Sequence, residues 1–424
     1  MKSKLQRVLE VALGRIKPPS DTVREALVFV KDLNRRLAAQ GLAAKAMIGG
    51  SAAKGTFLRD DYDIDIFVRF DKKTHVQDSL STLLAKVLSP DAERIHGSRD
   101  YFRLRKGYHE FEIIPVLAVK KASEAHNVTD MSPLHATYVK KHLSPQLRDE
   151  VRLVKQFCKA IKVYGAESYI NGFSGHILDL LIIRYKGFLQ LLRAARGWGR
   201  SVVIDLEGHH KRPEFSIDRS KRLGPLLLVE PVDAKRNAAA ALSREKYDRF
   251  IDAARAFLDE PALKYFTVKP LTPARIRKEY EARKAAFTQK TRLFILKSVP
   301  HEGKTDVVAT KLLKAHEHLA RMLAQHDFSV LDSGFEYEKA GYALSYLVVE
   351  NKRHLPHKEH IGPPTKKTRD AKRFVAKHGT KAYERKGRLY AMVKREHTTP
   401  LQVLKQHLKD SYVTERAADM RLVR

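Results

Sequence analysis

The eight residues Asp63–Phe70 read Asp-Ile-Asp-Ile-Phe-Val-Arg-Phe, and this alternation constrains the chain more than any other stretch. Alternating polar and apolar residues match a half-buried strand and do not match the 3.6-residue helical period. In a strand, residues i and i+2 share a face. Ile64 and Ile66 therefore enter a core, while Asp63 and Asp65 stand side by side on the other face. Two adjacent carboxylates repel unless a cation lies between them. A second alternating stretch, His109–Val116, places Glu110 and Glu112 on one face, opposite Phe111 and Ile113. Either glutamate, on a neighbouring strand, would supply a third carboxylate. Three carboxylates suit Mg²⁺, which takes hard oxygen ligands and shares its shell with substrate phosphates.

Before the first acidic strand stands Gly49-Gly50-Ser51, separated from Asp63 by eleven residues. It ends a short predicted strand, Ala44–Ile48. A Gly-Ser turn lets backbone N–H groups approach phosphate oxygens, and the Ser51 hydroxyl adds a donor. Lys54, three residues on, places a cation near the same phosphates. Gly50–Gly55 mimics the start of a P-loop, but Thr56-Phe57 follows where Lys-Ser/Thr is required, so that motif is excluded. The combination points to nucleotidyl transfer: a hydroxyl attacks the α-phosphate of a bound NTP and pyrophosphate leaves.

The partner of such an enzyme is indicated by charge. The 424 residues carry 81 Lys/Arg against 49 Asp/Glu, a formal charge of +32 spread along the chain. A polyanion, nucleic acid first, fits that balance. With 43% hydrophobic residues the chain has enough apolar side chains for sizeable cores. A single cysteine, Cys158, excludes an intramolecular disulfide framework and any multi-cysteine metal site, and suits a reducing cytoplasm. No run of about 18 apolar residues is present to span a membrane, and the amphipathic first twenty residues do not read as a secretory signal.

The pattern divides the chain. Helices are expected at 3–16, at 23–37 and over 76–88, and strands at 101–104 and 109–116, giving an α/β block that ends near residue 140. From 144 to about 262 the chain reads as mostly helical. Ser144-Pro145 opens a helix with an N-cap and a first-turn proline. That helix buries Leu147, Val151, Val154, Phe157 or Cys158, and Ile161. Arg148, Arg152, Lys155, Lys159 and Lys162 share its other face, which by itself reads as a solvated face. Farther on, strands at 291–299, 328–335, 343–350 and 387–395 with helices at 304–326 and 401–408 spell a ferredoxin-like unit with an insertion. The insertion, 351–388, holds 13 Lys/Arg and 3 Asp/Glu, and contains Gly362-Pro363-Pro364, which no helix or central strand tolerates. His354, His357 and His360 lie in this basic segment without cysteine or clustered carboxylates and read as solvated or RNA-facing.

These residues resemble those of the archaeal-type (class I) CCA-adding enzymes, tRNA nucleotidyltransferases of the polymerase-β-like superfamily. The similarity runs through Gly50-Ser51, Asp63-Ile64-Asp65, Glu112-Ile113-Ile114-Pro115, Ser132-Pro133-Leu134-His135, Glu150–Lys155, Tyr164–Glu167, Gly172–Gly175, Pro231-Val232-Asp233, Lys235-Arg236-Asn237 and Thr398-Thr399-Pro400. The stretch Val151–Asn237 is the most distinctive. The resemblance implies a U-shaped α+β multidomain molecule: a polymerase-β-like nucleotidyltransferase head (1–142), a helical neck that binds nucleotide and base (143–262), a ferredoxin-like RNA-binding body (263–350 and 387–424) and an inserted basic tail (351–386). It implies addition of C, C and A to tRNA 3′ ends from CTP and ATP without a nucleic-acid template. By position, Asp63, Asp65 and Glu112 would bind Mg²⁺. Gly50, Ser51, Lys54, Lys155 and Tyr164 would hold the triphosphate. His135 and Arg236 would flank the nucleotide, with Arg236 reading the base. The tRNA acceptor arm is the expected partner, with a homodimer implied, no membrane, and a cytoplasmic location.

Three positions depart from the family's pattern. Glu112 stands where the family typically has Asp, Lys54 where Arg is frequent, and Arg99 where His is expected. Two rival readings share some of these motifs. One is another terminal RNA nucleotidyltransferase, of poly(A) or oligoadenylate type. The other is a basic RNA-binding protein with an inactive head.

Overall fold

The computed structural model describes every residue except 1, 20, 60–62, 76–78, 97–99, 108, 339 and 424, so Arg99 lies outside the described residues. The chain forms two compact units, Met1–Lys269 and Pro270–Arg424.

The first unit opens with the helix Lys4–Ile16, whose N-cap Ser3 and Gln6 form a reciprocal capping box. The helix Arg24–Ala39 follows. A five-stranded sheet comes next: β1 (Ala44–Ile48), β2 (Asp63–Phe70), β3 (Glu93–Ile95), β4 (Tyr101–Lys106) and β5 (His109–Leu117), in the order β1-β2-β5-β4-β3. Strands β2 and β5 run parallel, and the other pairs are antiparallel. The apolar alternation of β2 does what it predicts: Ile64, Ile66, Val68 and Phe70 are buried with Phe111 and Ile113 of β5. Leu33 and Leu37 of the helix Arg24–Ala39 pack on that face. Within the described residues, the helix expected over 76–88 spans Leu80–Ala85, with Leu80, Leu84 and Val87 buried and Leu83 and Leu88 packed against the same core. The three-residue β3 is too short to leave a periodic signal.

A helical core fills the rest of this unit. Helices Pro145–Ala160, Gly175–Tyr185, Phe188–Arg196 and Arg244–Asp259 surround Phe157. Its ring lies 5.6–6.1 Å from those of Phe188, Phe250, Phe257 and Phe266, within the range of favourable aromatic pairs. The first helix joins this core through Ala12 and Ile16, although in sequence it precedes the sheet. Ser144 caps the helix Pro145–Ala160, accepting from Leu147 N at 3.3 Å. The reading of residues 144–262 as mostly helical misses a three-stranded sheet: β6 (Val202–Asp205), β7 (Leu226–Glu230) and β8 (Asp233–Asn237), ordered β6-β7-β8. All five residues of β7 are buried. A short, wholly buried strand shows no alternation, so periodicity cannot separate it from a helix.

In the second unit, β9 (Thr291–Val299), the helix Thr305–Gln325, β10 (Val330–Glu338), β11 (Tyr342–Glu350), the helix Pro400–His407 and β15 (Asp419–Val423) form a four-stranded sheet ordered β10-β11-β9-β15 with helices packed on it. That is a ferredoxin-like unit. Its last strand is β15, not 387–395. The segment expected to be the late strand, β14 (Arg388–Lys394), pairs instead with β12 (His357–Pro364) and β13 (Ala382–Arg385) in a separate sheet ordered β12-β14-β13. The helix Thr368–His378 supplies Phe374 to the small core of that sheet, with Leu389 and Ala391. Gly362-Pro363-Pro364 lies on the edge strand β12, where a missing N–H donor is tolerated.

No helix among the described residues is long and apolar enough to cross a membrane.

Candidate active site

The parallel register of β2 and β5 sets the acidic centre. Asp63 lies opposite Glu110, and Asp65 opposite Glu112. The four acids do not share one fate. Glu110 is claimed by arginines: Arg103 Nε lies 2.8 Å from Oε1 and Arg105 Nε 2.9 Å from Oε2. Among the described residues, Glu112 faces Arg103 Nη2 at 3.9 Å. Burial, then the charges of Asp65, Asp63 and Glu110, push the Glu112 carboxyl up to about 7. Burial also raises Asp65, with the Asp63 charge adding to it, against the opposing pull of Lys54 and Lys155. The centre is therefore short of positive charge, and its donors are all hard carboxylate oxygens. Such a set fits a divalent cation such as Mg²⁺.

Ser51 sits in the short helix Gly50–Lys54 that follows β1. Gly49 N donates to Asp65 O at 2.7 Å, so the turn is held against the acidic strand. Gly50 has φ +52°, and a Cβ there would overlap the Asp65 carboxylate. Both conformation and space require glycine.

Lys54 pairs with a buried acid that the sequence reading did not single out. Its Nζ lies 2.5 Å from Asp179 Oδ2, with the two side chains 10% and 0% exposed. Burial would raise Asp179, but Lys54 and Lys155 outweigh it and hold the carboxyl low. Lys54 thus forms a buried ion pair with Asp179. Arg152 and Lys155, whose helix face reads as solvated, are buried as well. Arg152 donates to Phe57 O (3.0 Å) and Gly55 O (2.6 Å), and pairs with Asp149 at 2.5 Å. Lys155 Nζ donates to Thr56 O and Oγ1, both at 3.1 Å. The helix Pro145–Ala160 therefore grips the loop that ends the Gly-Ser turn. Tyr164 joins this place: a Cβ on Gly175 would lie 3.1 Å from the Tyr164 hydroxyl and 3.6 Å from Lys155 Nζ. The glycine leaves both polar ends room. Lys159 Nζ sits 5.3 Å from the Tyr164 ring centroid.

His135 and Arg236 gather around a second buried acid, Glu230. The His135 ring stacks on His176 with centroids 4.6 Å apart. His176 Nε2 hydrogen-bonds Glu230 Oε2 at 2.9 Å, and His135 Nε2 stands 3.6 Å from Oε1. Burial pushes His135 down to about 4, so it is neutral at pH 7. Arg236 acts electrostatically on both His135 and Glu230, and its Nη1 is buried with no hydrogen-bond partner among the described residues.

Sequence reasoning missed Asp179, His176, Glu230 and Thr56. Asp179 had a usable signal: an acid inside the apolar run Ile-Leu-Asp-Leu-Leu-Ile-Ile is buried, and a buried acid needs a cation. Glu230 ends an apolar run in the same way.

Family profiles match the chain over 29–125 (nucleotidyltransferase domain), 149–267 (tRNA nucleotidyltransferase, second domain) and 291–415 (CCA-adding enzyme, C-terminal domain). The CCA-adding enzyme of Methanosarcina barkeri is 32% identical over 86% of this chain and 80% of its own length. The chain belongs to the CCA-adding enzymes. The CCA-adding enzyme of Nanoarchaeum equitans is 33% identical over 82% of this chain and 83% of its own. That of Methanocaldococcus jannaschii is 28% identical over 95% and 90%. Among solved structures, a cytoplasmic RNA terminal U-transferase superposes at 15% identity with a TM-score of 0.47, over 62% of this chain and 99% of that one. Within this CCA-adding enzyme family chain, the nucleotidyltransferase match spans the Gly-Ser turn and all four acids. The second-domain match spans Lys155, Tyr164, Asp179, Glu230 and Arg236.

Proposed function

We propose that this chain adds C, C and A to the 3′ ends of tRNA from CTP and ATP, releasing pyrophosphate, with Mg²⁺ as its metal. The observation that carries the reading is the pairing of Asp65 with Glu112 across parallel strands, beside a Gly50 that only glycine can occupy, in a chain aligned with CCA-adding enzymes over most of its length. Asp63, Asp65 and Glu112 would hold the metal, which when bound offsets phosphate charge and lowers the pKa of the attacking hydroxyl. Glu112 takes this role in preference to Glu110 because two arginines already satisfy Glu110. The backbone at Gly50, the Ser51 hydroxyl, Lys155 and Tyr164 orient the triphosphate. Lys54 acts one step back, fixing the turn through Asp179. Arg236, with buried donor capacity to spare, reads the base beside His135. Neutral His135 adds a ring face and a hydrogen-bonding nitrogen without adding charge. The basic insertion supplies phosphate contacts, which position RNA without reading sequence.

The test is primer extension on a tRNA transcript lacking its 3′ CCA, with the four NTPs supplied separately and together. Two C then one A, followed by arrest, is the expected product. A alone on a tRNA ending in CC would reduce the activity to A addition. A long A tail would transfer the protein to the poly(A)-type polymerases. No incorporation, with salt-sensitive tRNA binding intact, would make it an RNA-binding protein with an inactive head.

A further inference from the structure

Outside the acidic centre, histidines converge at the root of the basic insertion. His326 follows the helix Thr305–Gln325 directly, His397 lies between β14 and the helix Pro400–His407, and His407 ends that helix. Ligand nitrogens of the three lie within 4.8 Å of one another. His326 Nε2 and His407 Nε2 are 3.3 Å apart. Two imidazoles on one tetrahedral zinc, at Zn–N of about 2.0–2.1 Å, would stand roughly 3.3 Å apart. His397 is 8% exposed, and its Nε2 is buried with no hydrogen-bond partner among the described residues.

The surroundings favour coordination. His407 Nδ1 is 2.7 Å from Asp410 Oδ2, and His318 Nε2 is 3.0 Å from the same oxygen. An Nδ1–H donated to a carboxylate leaves the Nε2 lone pair of His407 outward, the arrangement that orients metal-binding histidines. Without a cation, the His326–His407 contact needs one shared proton. A cation would replace it, with His326 carrying its remaining proton on Nδ1.

We infer that His326, His397 and His407 form a zinc-type metal site that ties the returning end of the basic insertion to the ferredoxin-like sheet, with a fourth position open to water. The place gives the site a purpose. Asp327, next to His326, already accepts from Arg395 Nη1 at 2.5 Å and Lys358 Nζ at 3.4 Å. His354 Nε2 hydrogen-bonds its carbonyl at 3.1 Å. Both strands entering and leaving the insertion are thus held at one corner, and a metal there would lock its exit segment. The role is structural and independent of the carboxylates that hold the catalytic metal.

The experiment is a Co²⁺ titration of the full chain carrying Asp63→Ala and Asp65→Ala, which removes competing acidic ligands. One equivalent should bind with intense visible ligand-field absorption, and Zn²⁺ should displace it. Zn²⁺ should also raise Tm through linkage and slow amide exchange over 395–407. His326→Gln and His397→Gln should each abolish the absorption, whereas His176→Gln, in the other histidine cluster, should leave it intact. Absence of a stoichiometric band in the parent chain overturns the site whatever the variants do. Binding that survives both glutamine variants, or that His176→Gln removes, overturns its location. Should the glutamine variants fail to fold, the exchange protection in the parent chain decides the location.

Discussion

Glu110 and Glu112 differ in how closely arginines hold them. The two share a face of β5, yet Arg103 and Arg105 lie 2.8 and 2.9 Å from the first, while Arg103 stands 3.9 Å from the second. Glu112→Gln should lower nucleotide addition by more than the roughly 10–100-fold typical of a group that merely supports a metal ligand. Glu110→Gln should stay within that range, and steady-state rates at saturating Mg²⁺ check both. Lys54 makes a second case. Sequence position assigns it to phosphate, while the structure gives it to Asp179, which is fully buried. Removing one member of a buried pair leaves the other charge stranded, at a cost of about 3–5 kcal/mol. Lys54→Met should therefore destabilise the first unit by that order. Lys54→Met combined with Asp179→Leu should recover most of the loss. Urea unfolding followed by the fluorescence of Trp198, the single tryptophan, measures the cycle. A double variant no more stable than Lys54→Met would refute the buried-pair role.

Whole elements show where patterning suffices. Helix Pro145–Ala160 was legible down to its cap, because Ser-Pro chemistry is local. The burial of Arg152 and Lys155 was not, because their partners Phe57, Gly55 and Thr56 lie almost a hundred residues away. Helix Thr305–Gln325 buries His316 at 4% exposure, and burial pushes its imidazole down to about 4. The unfolded chain takes up a proton near pH 6.5 and the folded one near 4. Stability is unaffected above about pH 6.5 and falls as pH drops from there to about 4. The loss is on the order of 3 kcal/mol across that window. Hydrogen exchange of this helix, corrected for intrinsic rates, should show the loss, and His316→Leu should remove that pH dependence.

At the scale of the molecule, charge is the dominant fact. A chain of +32 should bind tRNA with an affinity that falls linearly in log–log against salt. Lys366, Lys367 and Arg369 are exposed in the insertion. Replacing all three with alanine should lower the salt slope by up to about 2–3 if each meets a phosphate. It should weaken different tRNAs equally, since backbone contacts carry no sequence information. Filter binding across a salt series tests this, and an unchanged slope would remove the insertion from the RNA-binding surface.

The sequence alone determined the acidic strands, the Gly-Ser turn, the basic balance, the family and the ferredoxin-like order, because each rests on short-range periodicity, turn chemistry or composition. Tertiary structure alone decided the rest. It set Glu112 opposite Asp65, with Arg103 3.9 Å away. It committed Lys54 to Asp179, brought His135 and His176 onto Glu230, and put β14 in a sheet of its own with β15 in its stead. A sequence shows which charges a chain carries. Which of them meet depends on register and burial, and desolvation then fixes what each carboxylate or imidazole can do.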